Sequence, residues 1–298
     1  MDAFTEFLKE NRDRKTITIT PGGNHGDTLI HMGLVKKLEE QGYDYNSLNL
    51  EHIYRGNPVI GGKYLMNILF WRMGIDAGFR LLEIPEDVDL VLFDGGGYMN
   101  DVWYGPALLR TVIRQTQAPI AVGPQSYIFS RTRLADCFMD GREATLFCRE
   151  HYSYDHLTEQ GLPPSVQLKL SPELALYLAP EDLEEFTESR EERYQLIAMR
   201  RDRESAIPER LLQEIEGTCD NPVTRDISIE GSLTDFVSWV ANAETVYTDR
   251  LHVAILSSKL GKDATLYGNR YHKNQGVWEY SLRDHVRFVE AYAGLISR

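Results

Sequence analysis

The sequence predicts an α/β fold of two units, each a parallel β-sheet covered by helices, and three observations predict it. Short β-rich runs alternate with helically spaced segments through the first two thirds of the chain. A stretch dominated by carboxylates and arginines, Ala179 to Arg193, then breaks the alternation, and a second alternation follows it. Strand and helix in regular succession imply parallel strands whose crossovers cover both faces. A chain of 298 residues suits two packed domains, 1–180 and 194–298 joined by 181–193, although one large α/β domain would also accommodate it.

Taken in order, the elements begin with TITIT, Thr16 to Thr20, whose β-branched residues favour a strand. The next segment, Asp27 to Gln41, places Ile30, Leu34 and Leu38 at every fourth residue, on one face of a helix. Strand DLVLF (Asp89 to Phe93), helix Pro106 to Thr116, strand IAVG (Ile120 to Gly123) and a helix near Thr132 to Met139 follow. Strand ATLFC (Ala144 to Cys148) and helix Tyr152 to Gln160 complete the first alternation. The second contains strand QLIAM (Gln195 to Met199), helix Pro208 to Ile215, strand Val223 to Ile229 and helix Leu233 to Asn242. Strand ETVYT (Glu244 to Thr248), helix Leu251 to Leu260 and strand DATLY (Asp263 to Tyr267) come next. A last helix is expected from Val286, Val289, Tyr292 and Ile296, whose apolar stripe can dock on either domain.

Composition narrows the function classes. Hydrophobic residues at 42% and charged residues at 26% are those of an ordinary folded protein, which excludes wholesale disorder or a fibre. No run approaches the roughly 20 apolar residues of a membrane span; the most apolar, Tyr64 to Trp71, is interrupted by Asn67. Asp2, Glu6, Lys9 and Glu10 give the N-terminus none of the layout of a secretory signal, so a cytoplasmic protein is expected, with peripheral membrane association compatible. Cys137, Cys148 and Cys219 form no Cys-x-x-Cys pair and read as reduced, buried thiols. A formal charge of -13 repels nucleic acid and anionic lipid at long range, so an anionic substrate must be held by a local cluster of cations and backbone N–H donors.

Four loops carry residues suited to that task. GGNHGDTLIHMG, Gly22 to Gly33, follows the first strand and opens a helix; Gly23, Asn24, Gly26 and Asp27 could cradle a phosphate or carboxylate on the helix N-terminus. The competing reading is a tight turn with Asp27 as N-cap. DGGGYMND repeats the arrangement, with Gly95, Gly96 and Gly97 at the carboxyl end of a buried strand, where ligands bind in open parallel sheets. There Asp94 and Asp101 are placed to orient sugar hydroxyls, or Asp101 caps the next helix. In TDRLHVAI, Thr248 to Ile255, residues two apart on a helix diverge by about 200°, so Arg250 and His252 can share a site only if Arg250 precedes the regular helix. Arg250 then suits a bidentate grip on an anion, and His252 suits proton transfer. Lys273, in the loop Tyr271 to Tyr280, and Arg149, Arg200 and Arg201 at strand ends add cations to the same kind of edge, although each is also compatible with a solvated surface. There is no G-x-S-x-G, H-E-x-x-H or Cys/His cluster, so serine-hydrolase and zinc chemistry lack support and no metal is expected.

In this order, GGNHGDTLI, DLVLFDGGGYMND, APIAVGPQS, LFCREHYSYDHL, TDRLHVAILSSKLGK and YHKNQG resemble the polysaccharide pyruvyl transferase family from about Gly22 to Lys273. The resemblance implies two Rossmann-like domains with parallel sheets facing a cleft, as in GT-B glycosyltransferases, with phosphoenolpyruvate as donor and a sugar diol as acceptor. It assigns catalysis to Arg250 and His252, and carries Arg149 and Lys273 to the donor; Arg200 and Thr248, at the ends of their strands, join them as donor-binding candidates. The glycine loops fall on the acceptor side. Two departures bear on the acceptor: Glu173 follows Pro172 where the family commonly has aspartate, and Gly261, Lys262 and Asp263 replace Gly-x-Pro. The implied reaction needs no redox cofactor, and its acceptor is a sugar or glycan, free or lipid-linked. Rivals on the same fold are a glycosyltransferase using a nucleotide sugar and a non-catalytic glycan or metabolite sensor.

Overall fold

The computed structural model describes residues 1–55, 57–103, 105–190 and 192–291. They divide into two compact units, one of Met1–Gly23 with Leu34–Leu174, the other of Asn24–Gly33 with Ala175 onward.

The first unit holds six parallel strands: β1 (Thr16–Thr20), β2 (Tyr45–Asn49), β3 (Leu90–Phe93), β4 (Ile120–Gln125), β5 (Ala144–Cys148) and β6 (Val166–Leu170). Their order is β2-β1-β3-β4-β5-β6. Strands β1, β3, β4 and β5 are buried along their whole length, which is why they read as unbroken apolar or β-branched runs. Edge strands β2 and β6 are partly exposed and carry no such run, so sequence reasoning passed over them. The helices are α1 (Ala3–Asn11), α2 (His25–Glu40), α3 (Leu50–Arg55), α4 (Pro58–Arg72), α5 (Gly105–Ile113) and α6 (His151–Gln160). Helix α2 begins in the second unit's share of the chain and ends in the first's. On one face Leu108, Leu109 and Val112 of α5 join a core with Val91, Phe93 and Val122. On the other, Phe4 and Phe7 of α1 meet the Phe147 ring edge-on at 5.1 and 5.5 Å. The helix expected near Thr132 to Met139 is only a 3-10 turn, Leu134–Cys137.

The second unit carries β7 (Gln195–Ala198), β8 (Pro222–Thr224), β9 (Thr245–Thr248), β10 (Asp263–Tyr267) and β11 (Arg287–Val289), all parallel in the order β11-β10-β9-β7-β8. Helices α7 (Glu209–Gly217), α8 (Leu233–Ala241), α9 (Leu251–Lys259) and α10 (Lys273–Val277) accompany them. Leu29, Leu196, Val246, Ala254 and Leu266 share one core, and Ile197, Met199, Ile215 and Tyr267 form a smaller one.

Three expectations change here. The charged stretch expected as a linker contains a 3-10 helix, Pro180–Phe186, whose Leu183 is buried in the second unit's core, and the boundary falls between Leu174 and Ala175. Ser238 Oγ fixes this stretch, donating to Phe186 O at 3.2 Å and accepting from Glu188 N at 2.8 Å. The expected last helix is instead β11, in register with β10 from Thr265↔Arg287 to Tyr267↔Val289; Tyr292 and Ile296 lie outside the described residues. The strand expected over Val223 to Ile229 ends at Thr224, because Asp226 leaves the ladder to bond Arg250.

Candidate active site

Parallel strands deliver their following loops to one edge of a sheet. At that edge of the second unit, Arg250 is the residue before α9, in extended conformation at φ -89 and ψ 109. Held off the helix, its guanidinium grips Asp226 bidentately, Nε to Oδ1 at 3.0 Å and Nη2 to Oδ2 at 2.5 Å. Its Nη1 lies 3.3 Å from Asp202 Oδ2. Asp202 also accepts two bonds from Arg200, at 2.8 and 2.9 Å, and Arg200 Nη1 reaches Glu204 at 2.7 Å. Lys273 Nζ closes the chain on Glu204. The result is an alternating ladder, Asp226, Arg250, Asp202, Arg200, Glu204, Lys273. Five of its members are no more than 8% exposed, whereas the Asp202 side chain is 32% exposed and is the rung open to solvent.

Asp249 anchors the ladder from behind. Its buried carboxylate accepts the Arg200 N–H at 2.7 Å and the Ser205 hydroxyl at 3.2 Å. Burial pushes its pKa up to about 6 even though those bonds and the charges of Arg200 and Arg250 act the other way. Burial also opposes charge on Asp202 and Arg200, but their mutual bonds win: Asp202 is held below the usual carboxylate range and Arg200 above its ordinary value.

His252, in the first turn of α9, lies against Gly26 in the first turn of α2. A Cβ built on Gly26 falls 2.4 Å from His252 Nδ1, so only glycine fits beside the imidazole. The surrounding turn is tied down locally. Asn24 Oδ1 accepts the Gly26 N–H at 2.8 Å and the Asp27 carboxylate accepts the Asn24 N–H at 2.8 Å, so Asn24, not Asp27, is the N-cap. His25 docks the turn through N–H to Ser228 O at 3.0 Å and a contact of Nε2 with Gly231 O at 3.1 Å. Thr248, expected to bind donor, is fully buried; its hydroxyl donates to Ala198 O at 2.6 Å and accepts the Arg250 N–H at 2.9 Å. It sets the backbone that presents Arg250. Lys273 is the first residue of α10 rather than part of a loop, and the neighbouring Asn274 donates to Asp249 O and Tyr267 O at 2.8 and 2.9 Å.

The first unit's edge holds the other predicted residues. Gly95 is required by protein atoms, since a Cβ there falls 2.8 Å from Pro124 O and from Leu174 Cδ1. Gly96, at φ 131, donates to Pro124 O at 2.9 Å, and the Gly97 carbonyl accepts Asn100 Nδ2 at 2.7 Å. Gly95 therefore makes room for the Pro124 backbone and the Leu174 side chain. Asp94 accepts the Thr20 hydroxyl at 3.1 Å. Asp101 accepts the N–H groups of Ser130 and Arg131 at 2.7 and 2.9 Å, capping that loop instead of a helix. Gly23 N–H donates to Glu51 at 3.2 Å. Arg149, only 1% exposed, donates through Nε to Ser126 Oγ at 2.9 Å, and its Nη1 lies 3.8 Å from Glu173 Oε1. That Nη1 and the Gln125 Oε1 have no hydrogen-bond partner among the described residues. The Glu173 carboxylate is thus the charge partner of this buried guanidinium.

The structure thus places Asn24, Gly26, Asp27, Arg200, Thr248, Arg250, His252 and Lys273 in the second unit, and Gly23, Asp94, Gly95, Gly96, Gly97, Asp101 and Arg149 in the first. Sequence reasoning missed Asp202, Glu204, Asp226, Asp249 and Asn274. The signals were present: Asp226 interrupts an otherwise strand-like run, and two carboxylates sit among the arginines of MRRDRES. No group of metal-holding side chains occurs among the described residues. Cys137 and Cys148 are buried, and burial raises both thiols, which keeps them protonated.

Two parallel α/β units with charged loops at the strand ends define a GT-B-like fold, the fold class shared with solved UDP-N-acetylglucosamine 2-epimerases. The model of the polysaccharide pyruvyl transferase family matches residues 24–271, and the chain belongs to that family; it is a transferase. A functionally uncharacterised protein of Klebsiella pneumoniae has a similar structure, with TM-score 0.66, 21% identity and 96% of each chain covered. A UDP-N-acetylglucosamine 2-epimerase aligns at TM-score 0.54 and 12% identity over 94% of this chain and 84% of its own. The Methanocaldococcus jannaschii UDP-GlcNAc 2-epimerase, solved with UDP-GlcNAc and UDP, aligns at 0.50 and 13% over 93% and 88%. These identities establish shared fold alone. No curated protein is similar enough in sequence to match.

Proposed function

We propose that the protein transfers the enolpyruvyl group of phosphoenolpyruvate to a sugar diol, forming a cyclic pyruvate ketal during polysaccharide or glycan assembly. The observation that carries this reading is the start of α9, where Arg250 stands off the helix within a charged ladder and His252, the second residue of the helix, lies against Gly26. Family membership supports the same chemistry. His252 protonates the methylene carbon of the donor, and the adjacent carbon becomes oxocarbenium-like. One sugar hydroxyl attacks that carbon, the C–O bond to phosphate breaks, and a neighbouring hydroxyl closes the ketal. One hydroxyl proton returns to His252 and the other leaves with phosphate. Arg250, Arg200 and Lys273 hold the anionic groups of the donor and stabilise the departing phosphate. Arg149, paired with Glu173, supplies a separate cation on the first unit for an anionic group of a substrate. The scheme changes no oxidation state and calls for no redox cofactor.

The test is incubation of the purified protein with phosphoenolpyruvate and a panel of free, nucleotide-linked and lipid-linked sugars. Inorganic phosphate release and a pyruvyl ketal in the mass spectrum are expected with one acceptor class, and both vanish in His252→Ala. Turnover of a nucleotide sugar instead, with a nucleoside phosphate released and phosphoenolpyruvate untouched, would overturn the reading.

A further inference from the structure

A surface helix ordinarily buries an apolar face and turns a polar one to water. Helix α4 of the first unit is apolar on both. Asn67, Ile68 and Trp71 face the core at 2%, 8% and 4% exposure. On the opposite side Val59, Leu65, Met66, Leu69 and the capping residue Met73 are exposed at 65%, 66%, 40%, 45% and 63%. At 100° per residue these five project within an arc of about 120°. Arg72 stands just beyond one border of that arc and Lys63 just beyond the other. Exposed Ile75 and Phe79 extend the patch past the helix end, with Phe79 stacked on Phe70 at 6.1 Å and Arg80 next to it.

Charge separates this face from the rest of the molecule. The chain has 45 aspartates and glutamates, yet from Asn57 to Leu82 only Asp76 is acidic, and Asp76 is paired with Arg114. An apolar stripe bordered by cations is complementary to an anionic interface, and this local match acts against the long-range repulsion of a chain of net charge -13. A second copy is a poor occupant, because a two-fold contact through this face would gather Lys63, Arg72 and Arg80 of both copies around one interface with no acidic residue but the paired Asp76 among them. Spanning a bilayer is ruled out for a helix of 15 residues.

We propose that α4 docks this face in the plane of an anionic phospholipid bilayer. The apolar stripe enters the headgroup boundary while Lys63 and Arg72 extend along its borders to lipid phosphates. Docking would present the enzyme to lipid-linked acceptors, but it does not depend on the transfer reaction.

The experiment is flotation of the full-length protein with vesicles of phosphatidylcholine alone and of phosphatidylcholine with phosphatidylglycerol. Binding to the anionic vesicles is expected to exceed binding to the neutral ones by about tenfold and to weaken as salt is raised. Leu65→Ser with Leu69→Ser, both solvent-exposed, should lower anionic binding by about tenfold with an unchanged melting temperature. If that pair unfolds the chain, Met73→Ser at the helix end gives the same reading. Three outcomes overturn the proposal: no flotation of the wild type with anionic vesicles, equal flotation of wild type and variants, or a wild-type dimer that the variants dissociate.

Discussion

The imidazole of His252 occupies the space that any side chain on Gly26 would need, with Nδ1 2.4 Å from where a Cβ would stand. Both residues lie in first turns, Gly26 of α2 and His252 of α9, so two helix starts fix one ring. The glycine makes room for the histidine, and the histidine holds the glycine turn.

Gly26→Ala is therefore expected to displace the imidazole rather than merely stiffen a turn. Overpacking of this kind destabilises by about 1–3 kcal/mol, and a reacting group moved by about an ångström loses on the order of a hundredfold in rate. Phosphate release from phosphoenolpyruvate, read beside a urea unfolding curve, separates the two effects. A variant with full activity would show that His252 has no positional role.

Asp202 occupies Arg250 and Arg200 at once and is the solvent-exposed rung of the ladder. Counted as ionised, Arg200, Arg250 and Lys273 face Asp202, Glu204, Asp226 and Asp249, so the ladder has no surplus positive charge for an anion. Binding a donor phosphate then requires a carboxylate to turn aside, and Asp202 is the one with room. Asp202→Asn should tighten inorganic phosphate about tenfold, equivalent to about 1.4 kcal/mol, in a calorimetric titration at low salt. Unchanged or weaker binding would mean that Asp202 orients the cations rather than masking them.

The fold was legible where strands are buried on both faces, since β1, β3, β5 and β10 announce themselves as short apolar or β-branched runs. It was illegible at β2, β6 and β11, half-exposed edges whose residues follow no simple period. The cations of the site were legible because arginine at a strand end is conspicuous in an acidic chain. Their carboxylate partners were not: Asp226 lies 24 positions from Arg250, and nothing in one dimension pairs them. At the triple glycine the sequence cannot tell ligand space from protein space: the room beside Gly95 is taken by Pro124 O and Leu174.

Asp249 gives the second unit a pH signature with a definite sign. Its carboxyl ordinarily titrates at 3.8 and burial pushes it up to about 6 in the fold. Between those values the folded chain binds more proton than the unfolded chain, so its contribution to stability falls as pH rises from about 4 to about 6. The full ionisation penalty, about 3 kcal/mol, is in place at neutral pH. Asp202, Asp140 and Asp235 are held low by their partners and act in the opposite sense, losing stability as pH falls through their folded values. The wild-type curve alone therefore mixes the two. Asp249→Asn keeps an oxygen to accept the Arg200 N–H while removing the titration. Relative to wild type, the variant should gain about 3 kcal/mol in urea unfolding between pH 4 and pH 7. Parallel stability curves across that range would show that Asp249 titrates as an ordinary carboxylate and that the ladder is not anchored through a buried acid.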